Sequence, residues 1–200
     1  MAICKRILRG QDITCQAFGR KYFQQLVLVN RGDVSEVAYD VGPNNHAIAF
    51  NLVEDATGYR YRGNENVSNY SASFSKSEQR GQPLYTHSVS MPVLGVSVET
   101  KLILKELDLS DYFAAIQFID GTVEVYGFEN GLTTGDYDYS AQNGLGGTIL
   151  SLSSRYPEDD PPFNYGGPGE DFDDLFADIP TLLGGDFNDD FSNDFYIFQL

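Results

Sequence analysis

The most informative pattern of hydrophobic, polar and turn-forming residues lies near the middle of the chain. Residues 112–119 alternate between two faces with the period of a β-strand. Asp120 and Gly121 follow, and both residue types tolerate the positive φ that a two-residue hairpin loop requires. The return strand, residues 122–128, places its valines on one side and its even-numbered residues, up to Phe128, on the other. This stretch therefore predicts a β-hairpin.

A short helix is predicted just before this hairpin. Within residues 100–109, four apolar residues fall near one side of a helix: Leu102, Ile103, Leu104 and Leu107. The order is helix, strand, tight turn and strand, and the rest of the chain is expected to pack around it.

Two strands are predicted near the start of the chain, at residues 12–18 and 22–29, with a turn at residues 19–21. The second contains the polar pair Gln24 and Gln25, which an unbroken apolar run follows. Such a run is typical of a strand that is buried on both faces at one end. The Arg-Gly-Asp tripeptide at residues 31–33 matches a cell-adhesion motif, but the same residue types favour a turn, which is the interpretation we adopt.

A third hairpin-like unit is predicted at residues 46–62. Ile48, Phe50 and Leu52 lie on one side of an alternating strand, and residues 59–62 form its predicted partner. No strand is predicted between residues 34 and 45.

Residues 63–83 are rich in Asn, Ser, Gly and Gln, and they predict a long surface loop. Part of it has strand character, because Tyr70, Ala72 and Phe74 alternate with serines. A loop of this length is expected to contact a neighbouring subunit, with Tyr70 and Phe74 as contact residues.

The strand-prone stretch 85–98 is interrupted by Pro92 and Gly95. Proline cannot donate to a β-ladder, so this stretch is either an edge strand or two shorter strands that meet at the proline. Residues 148–153 are predicted as the last strand of the body.

Charge divides the chain into a body, residues 1–156, and an acidic arm, residues 157–200. The net charge is −16; the body holds 17 acidic and 13 basic residues, whereas the arm holds 12 acidic residues and no basic one. Such an arm repels nucleic-acid phosphates. Acidic tails that stay disordered are poor in aromatic residues, so the aromatics here are expected to dock on another subunit. The docking residues predicted in the arm are Phe172, Phe176, Phe187, Phe191, Phe195, Tyr196 and Phe198.

Recognisable catalytic chemistry is sparse. His46 and His87 are the only histidines, and we interpret both as sheet-surface or loop residues. Cys4 and Cys15 are expected to be free thiols. Asp186 begins the best match to a calcium loop, but that match lacks the glycine and the final glutamate of an EF-hand. No enzymatic activity, cofactor or specific metal site is predicted.

No segment approaches the roughly 18 apolar residues of a membrane helix. The basic residues at the N-terminus are not followed by the apolar stretch of a secretory signal. The chain is therefore expected to be made in the cytoplasm and to have no membrane partner.

The combined layout resembles the tail-tube class of bacteriophage structural proteins, particularly those of phages that infect gut Bacteroidetes. The resemblance lies in a strand-rich body, the leucine-rich helix and three segments: 118–127 (FIDGTVEVYG), 129–132 (ENGL) and 147–152 (GTILSL). It covers about residues 10–156. Type VI secretion tube proteins share this architecture.

The resemblance implies a mainly β fold: an antiparallel β-sandwich or half-barrel with one short α-helix, to which the extended acidic C-terminal arm is added. It also implies a structural subunit of the virion, in a tail tube or a head-to-tail connector, that assembles in the host bacterial cytoplasm. The expected partners are copies of itself in a ring, adjacent tail or connector proteins, and DNA that passes through the lumen without specific binding. A repeating tube subunit and a single-layer ring or adaptor both fit.

Two other classes of function remain open at this stage. One is a stand-alone β-sandwich binding module whose acidic tail binds calcium weakly or takes up a basic partner. The other is an enzyme of unrecognised type. Assembly into rings would distinguish the structural subunit from both.

Overall fold

Two apolar strands, β1 (Phe23–Asn30) and β7 (Tyr112–Phe118), pair antiparallel at the centre of the molecule. A computed structural model describes residues 23–42, 45–54, 56–62, 70–95, 97–119, 121–140 and 146–166. The other strands in these residues are β2 (Val34–Val41), β3 (His46–Leu52), β4 (Tyr59–Arg62), β5 (Ser71–Gln79), β6 (Gln82–Leu94), β8 (Val123–Tyr126), β9 (Leu132–Thr134), β10 (Gly147–Ser154) and β11 (Phe163–Tyr165). The single described α-helix is α1 (Val98–Leu109).

All of these strands belong to one sheet, in which hydrogen-bonded neighbours run β2, β3, β11, β8, β7, β9, β10, β6 and β5. Strand β1 pairs with β7 and also with β4. Every pairing is antiparallel except that of β11 with β3, which is parallel. The predicted fold class, mainly β with one short helix, is confirmed, with the difference that the sheet is mixed.

The central strands are buried on both faces, as the apolar run of β1 predicted. Leu26 and Leu28 pack into a core that includes β6, β10 and α1, whereas Val27 and Val29 pack into a second core formed with β3, β8 and β11. The same division applies to β7, because successive side chains of a strand point to opposite faces. The two cores therefore lie on opposite faces of the central strands β1 and β7.

The sheet also curls like a half-barrel on the side of the second core. Strand β3 is separated from β7 by β11 and β8, which in a flat sheet would put β3 and β7 about 14 Å apart. The rings of Phe50 in β3 and Phe113 in β7 nevertheless lie 5.1 Å apart between centroids. Their contact therefore requires the sheet to bend around this core.

Helix α1 begins at Val98, two residues before the predicted start. The hydroxyl of its N-cap residue, Ser97, accepts a hydrogen bond from the backbone N–H of Thr100 at 3.1 Å. Ile103, Leu104 and Leu107 are buried as expected. The prediction for Leu102 was wrong, because this side chain is 53% exposed; the buried stripe starts at Thr100 and follows the helical repeat.

The central hairpin forms as predicted, but its loop is one residue longer. Gly121 N–H donates to the carbonyl of Phe118, and Phe118 N–H donates to the carbonyl of Thr122, so three residues separate this pair. Gly121 closes the loop at φ +82°, as in a hairpin with a glycine bulge. Phe128 was assigned to the wrong side: β8 ends at Tyr126, the chain turns at Gly127, and Phe128 enters the second core.

Strand β6 continues through Pro92, so it is not broken into two pieces. Strand β5 pairs with β6 only up to Ser90, and beyond that point β6 pairs with β10 alone. Proline therefore lies where, among the described strands, one side of β6 has no partner, as the edge-strand alternative requires. The surface loop predicted at residues 63–83 was wrong for its second half, which forms β5 and its turn to β6.

Three pairings differ from the predicted ones. Strand β4 pairs with β1 instead of β3, and β3 pairs with β2, a strand that was not predicted. Residues 157–166, assigned to the arm, belong to the sheet through β11. Residues 1–22 and 167–200, which contain the strand predicted at residues 12–18, both cysteines and the remainder of the arm, lie outside the described residues.

Candidate assembly edges and the buried pair behind them

Strand β2 forms one end of the sheet and pairs with β3 alone among the described strands. All but the first of its residues are exposed. Val37, Tyr39 and Val41 alternate along one face and are 41%, 53% and 55% exposed. An edge strand presents unpaired backbone donors and acceptors, so β2 offers both a hydrogen-bonding edge and apolar side chains to an incoming strand.

Strand β5 forms the other end of the sheet and pairs with β6 alone among the described strands. Phe74, predicted as a contact residue, is 51% exposed on this strand, and its ring lies 6.0 Å from that of Tyr85. Tyr70 instead packs against the molecule's own core, with its ring 6.1 Å from that of Phe23. The seven contact residues predicted beyond position 166 lie outside the described residues.

Strand β11 attaches the β2–β3 edge to the body. It lies between β3 and β8, and Phe163 at its start is 1% exposed. The Phe163 ring stacks on His46 at 4.4 Å and meets Tyr39 edge-on at 5.7 Å. His46 Nε2 also lies 2.9 Å from the carbonyl oxygen of Pro161. Through these contacts, Phe163 and Pro161 fix the position of β3 and β2 relative to the rest of the sheet.

Arg31, the first residue of the Arg-Gly-Asp tripeptide, braces a turn in the same region. The tripeptide forms the predicted turn, between β1 and β2. The Arg31 guanidinium donates to the carbonyl oxygens of Phe128 and Glu129 and forms an ion pair with Asp111 at 3.0 Å. One side chain therefore joins the turn after β8 to the beginning of β7, which positions Glu129 near residues 158–160.

A histidine and a glutamate are buried together beneath this region. His87 in β6 and Glu158 are both completely inaccessible to solvent, and His87 Nδ1 lies 3.3 Å from Glu158 Oε2. Backbone hydrogen bonds between Tyr85 and Glu158, at 2.7 and 2.8 Å, hold the segment before β11 against β6. The prediction that His87 lies on a sheet surface or in a loop was wrong, because its side chain is completely buried within the fold.

The partners of His87 assign its tautomer. Its Nε2 lies 3.2 Å from the carbonyl oxygen of Asp160, which can only accept, so Nε2 carries the proton. Its Nδ1 accepts a hydrogen bond from Gly127 N–H at 3.0 Å. Burial lowers the pKa of His87 to about 4, opposed by the Asp160 carbonyl. The imidazole is therefore neutral at neutral pH.

The carboxyl of Glu158 is perturbed in the opposite direction. Burial raises its pKa to about 7, and the negative charge of Glu129 adds to the increase. The nearby backbone N–H groups of Asn130 and Glu129 and the positive charge of Arg31 oppose the increase. Neither carboxyl oxygen has a well-aligned hydrogen-bond donor among the described residues. Because Gly127 N–H already occupies the one lone pair of His87 Nδ1, a Glu158 carboxylate would bring a negative charge beside this nitrogen with no well-aligned donor among these residues to stabilise it, whereas a protonated carboxyl brings no charge. The pair is therefore a neutral contact that loses its proton near neutral pH, not an ion pair.

The sequence contained a usable signal for only one of the missed features. Val37, Tyr39 and Val41 alternate with shorter or acidic residues, which is the pattern of an exposed strand. Nothing in the sequence distinguishes Glu158 from the adjacent Asp159 and Asp160, because its burial depends on pairing with β6.

Neither a metal centre nor a membrane span is present in the parts of the chain that the structure describes. Within them, no three His, Cys, Asp or Glu side chains are grouped so that they could hold a metal ion. No helix among these residues is long and apolar enough to cross a bilayer. Comparisons with protein-family models, with curated proteins and with solved structures found no match.

Proposed function

We propose that this protein is a structural subunit of a phage virion, in a tail or a head-to-tail connector, that assembles into a ring around a channel for DNA. The observation that carries the proposal is the pair of exposed strands, β2 and β5, at the two ends of the main path of hydrogen-bonded strands, from which β1 and β4 branch. Together with the resemblance to tail-tube proteins, these edges favour a function in assembly without enzymatic activity.

The two edges differ from each other, which determines the kind of assembly. Pairing of β2 in one copy with β5 in the next is a head-to-tail contact, and repetition of such a contact closes into a ring or continues as a helix. Each contact would extend the sheet through backbone hydrogen bonds, as in strand addition. The apolar residues Val37, Val41 and Phe74 would lose solvent exposure in the process.

The charge of the chain suits a channel for DNA. The net charge is −16, and the β2 edge carries the exposed acidic residues Glu36 and Asp40. Acidic surfaces repel phosphates and do not retain nucleic acid. DNA would therefore pass such a ring without specific binding, and adjacent tail or connector proteins would be the other partners.

Lysine substitutions on the two edges test the proposal. Lysine is a residue with which natural sheets block edge pairing. Val41→Lys and Phe74→Lys should each convert rings into monomers, measured by analytical ultracentrifugation and negative-stain electron microscopy. Because both side chains are about half exposed, the melting temperature of the monomer should change little.

Leu102→Lys is the matched control. Leu102 is a comparably exposed apolar residue, but it lies on α1, away from either edge, so this variant should still form rings. A wild-type chain that stays monomeric at high concentration would contradict the proposal. So would rings that both edge variants form as readily as the wild type.

A further inference from the structure

The two exposed edge strands match in length and differ in charge. Strand β2 has eight residues and β5 has nine, whereas β4, which also pairs with only one described strand, has four. Strand β2 carries two acidic residues, Glu36 and Asp40, and no basic one. Strand β5 carries one basic residue, Lys76, and one acidic residue, Glu78. Length therefore favours pairing of β2 with β5, and their charges limit how the two strands can pair.

Glu36 and Lys76 are both exposed, and neither forms an ion pair among the described residues. Lys76 lies opposite the uncharged Tyr85 of β6. Glu36 lies opposite Asn51 of β3, whose amide donates to the carboxylate at 3.3 Å. Both charges are therefore available to a second molecule.

Pairing of unlike edges suits these charges better than pairing of two β2 strands. Two β2 strands would bring Glu36 and Asp40 of both copies together, with no basic residue on either strand. Like charges on paired strands are destabilising. Pairing of β2 with β5 instead brings Lys76 to an acidic strand, and it is the head-to-tail contact that a ring requires.

Only one of the two fully paired antiparallel registers joins these charges. Because β5 is one residue longer than β2, all of β2 can pair with residues 71–78 or with residues 72–79. The first register sets Glu36 opposite Lys76. The second is shifted by one residue, which moves every β2 side chain to the other face. It sets Lys76 opposite the apolar Val37, with the acidic residues of β2 on the opposite face.

We propose that β2 of one copy adds antiparallel to β5 of the next copy, in the register that sets Glu36 opposite Lys76. This inference rests on the proposed function, since it specifies the contact between copies in the ring. The Cβ atoms of directly opposite residues lie about 4.5–5.5 Å apart, which allows an ammonium and a carboxylate to meet. Each copy has a net charge of −16, so copies repel one another, and this pair supplies a local attraction that also selects the register.

Exchange of the two charges tests the register. Lys76→Glu and Glu36→Lys each set like charges opposite one another, and each should raise the protein concentration needed for rings by about tenfold. The double variant restores opposite charges and should need a concentration within about threefold of that for the wild type. Sedimentation velocity over a concentration series, at low ionic strength because salt screens exposed pairs, measures this concentration. Both side chains are exposed, so the melting temperatures should change little.

Asp40→Lys is the matched control for Glu36→Lys. It changes the net charge equally and lies on the same face of β2, but in this register it is opposite Ala72. Lys76→Glu combined with Asp40→Lys should therefore assemble no better than Lys76→Glu alone. Equal rescue by Asp40→Lys would show that net charge controls assembly, and it would overturn the proposed register.

A second double variant distinguishes a contact between two β5 strands. In that contact Lys76 of each copy would lie opposite Glu78 of the other, so Glu78→Lys, and not Glu36→Lys, would rescue Lys76→Glu. That result would overturn the proposal. Wild-type rings without rescue by Glu36→Lys would overturn the register and leave the proposed function standing. A wild-type chain that stays monomeric at high concentration would overturn both.

Discussion

Replacing Glu158 with glutamine should change how the stability of the fold depends on pH. Glutamine resembles a protonated glutamate in shape and in its lack of charge, and it cannot ionise, so it should occupy the same place beside His87 Nδ1, which lies 3.3 Å from Glu158 Oε2. The variant therefore keeps the contact with His87 and removes only the titration of the carboxyl.

The expected magnitude follows from the shifted pKa of Glu158. Folding raises this pKa from 4.5 to about 7, and a shift of about 2.5 units corresponds to about 3 kcal/mol. The folded chain holds the proton more tightly, so the contribution to stability is complete below pH 4.5 and is lost as the pH rises through 7. Relative to the wild type, Glu158→Gln should become more stable by about 3 kcal/mol over this interval.

The wild-type protein alone would not reveal this effect, because His87 opposes it. Folding lowers the pKa of His87 from 6.5 to about 4. Its contribution to stability is therefore complete above pH 6.5 and is lost as the pH falls through 4. Between about pH 4.5 and 6.5 the two contributions cancel in the wild type, whereas the stability of Glu158→Gln should rise with pH.

The assay is urea denaturation of both proteins at intervals between pH 4 and 8, with the difference in unfolding free energy plotted against pH. Titrating groups that do not interact with Glu158 contribute equally to both proteins and cancel in that difference. Glu78→Gln, the same substitution at an exposed glutamate on β5, is the control. A constant difference for Glu158→Gln would refute the assignment of a buried, protonated carboxyl.

Three further predictions concern the structure around this pair. Gly127→Ala should lower the unfolding free energy by about 3 kcal/mol in urea denaturation, because φ is +72° and an added Cβ would overlap Leu132. The control, Gly121→Ala, has φ +82° but open space around the added Cβ, so it should cost about 1 kcal/mol. Equal losses of unfolding free energy would exclude a role for the overlap with Leu132. Arg31→Lys should lower the unfolding free energy by about 1–3 kcal/mol in the same assay, because lysine cannot make all the hydrogen bonds to Phe128, Glu129 and Asp111 at once. Wild-type stability of this variant would show that these hydrogen bonds do not stabilise the turn. A chain truncated after Tyr156 should melt roughly 10 °C below one truncated after Gly166, measured by circular dichroism, because it also loses Phe163 and the rest of β11; equal melting temperatures would show that β11 contributes nothing.

The local pattern of the chain was sufficient to identify elements that a short run of residues defines by itself. The apolar run of β1, the alternation of β3, the central hairpin and most of the buried helix face were predicted from residue types a few positions apart. The physical reason is that strand and helix periodicity, and the need for positive φ at Gly121, are properties of short segments.

Tertiary structure alone decided which strands pair and which polar groups are buried. Alternation shows that a strand has two faces, but it does not identify the partner, so β4 was assigned to β3 when it pairs with β1. His87 and Glu158 are 71 positions apart in the chain and meet only because β6 pairs with the segment before β11. Their burial, and the shifted pKa values that follow from it, arise from desolvation by distant elements, which no local pattern of residues records.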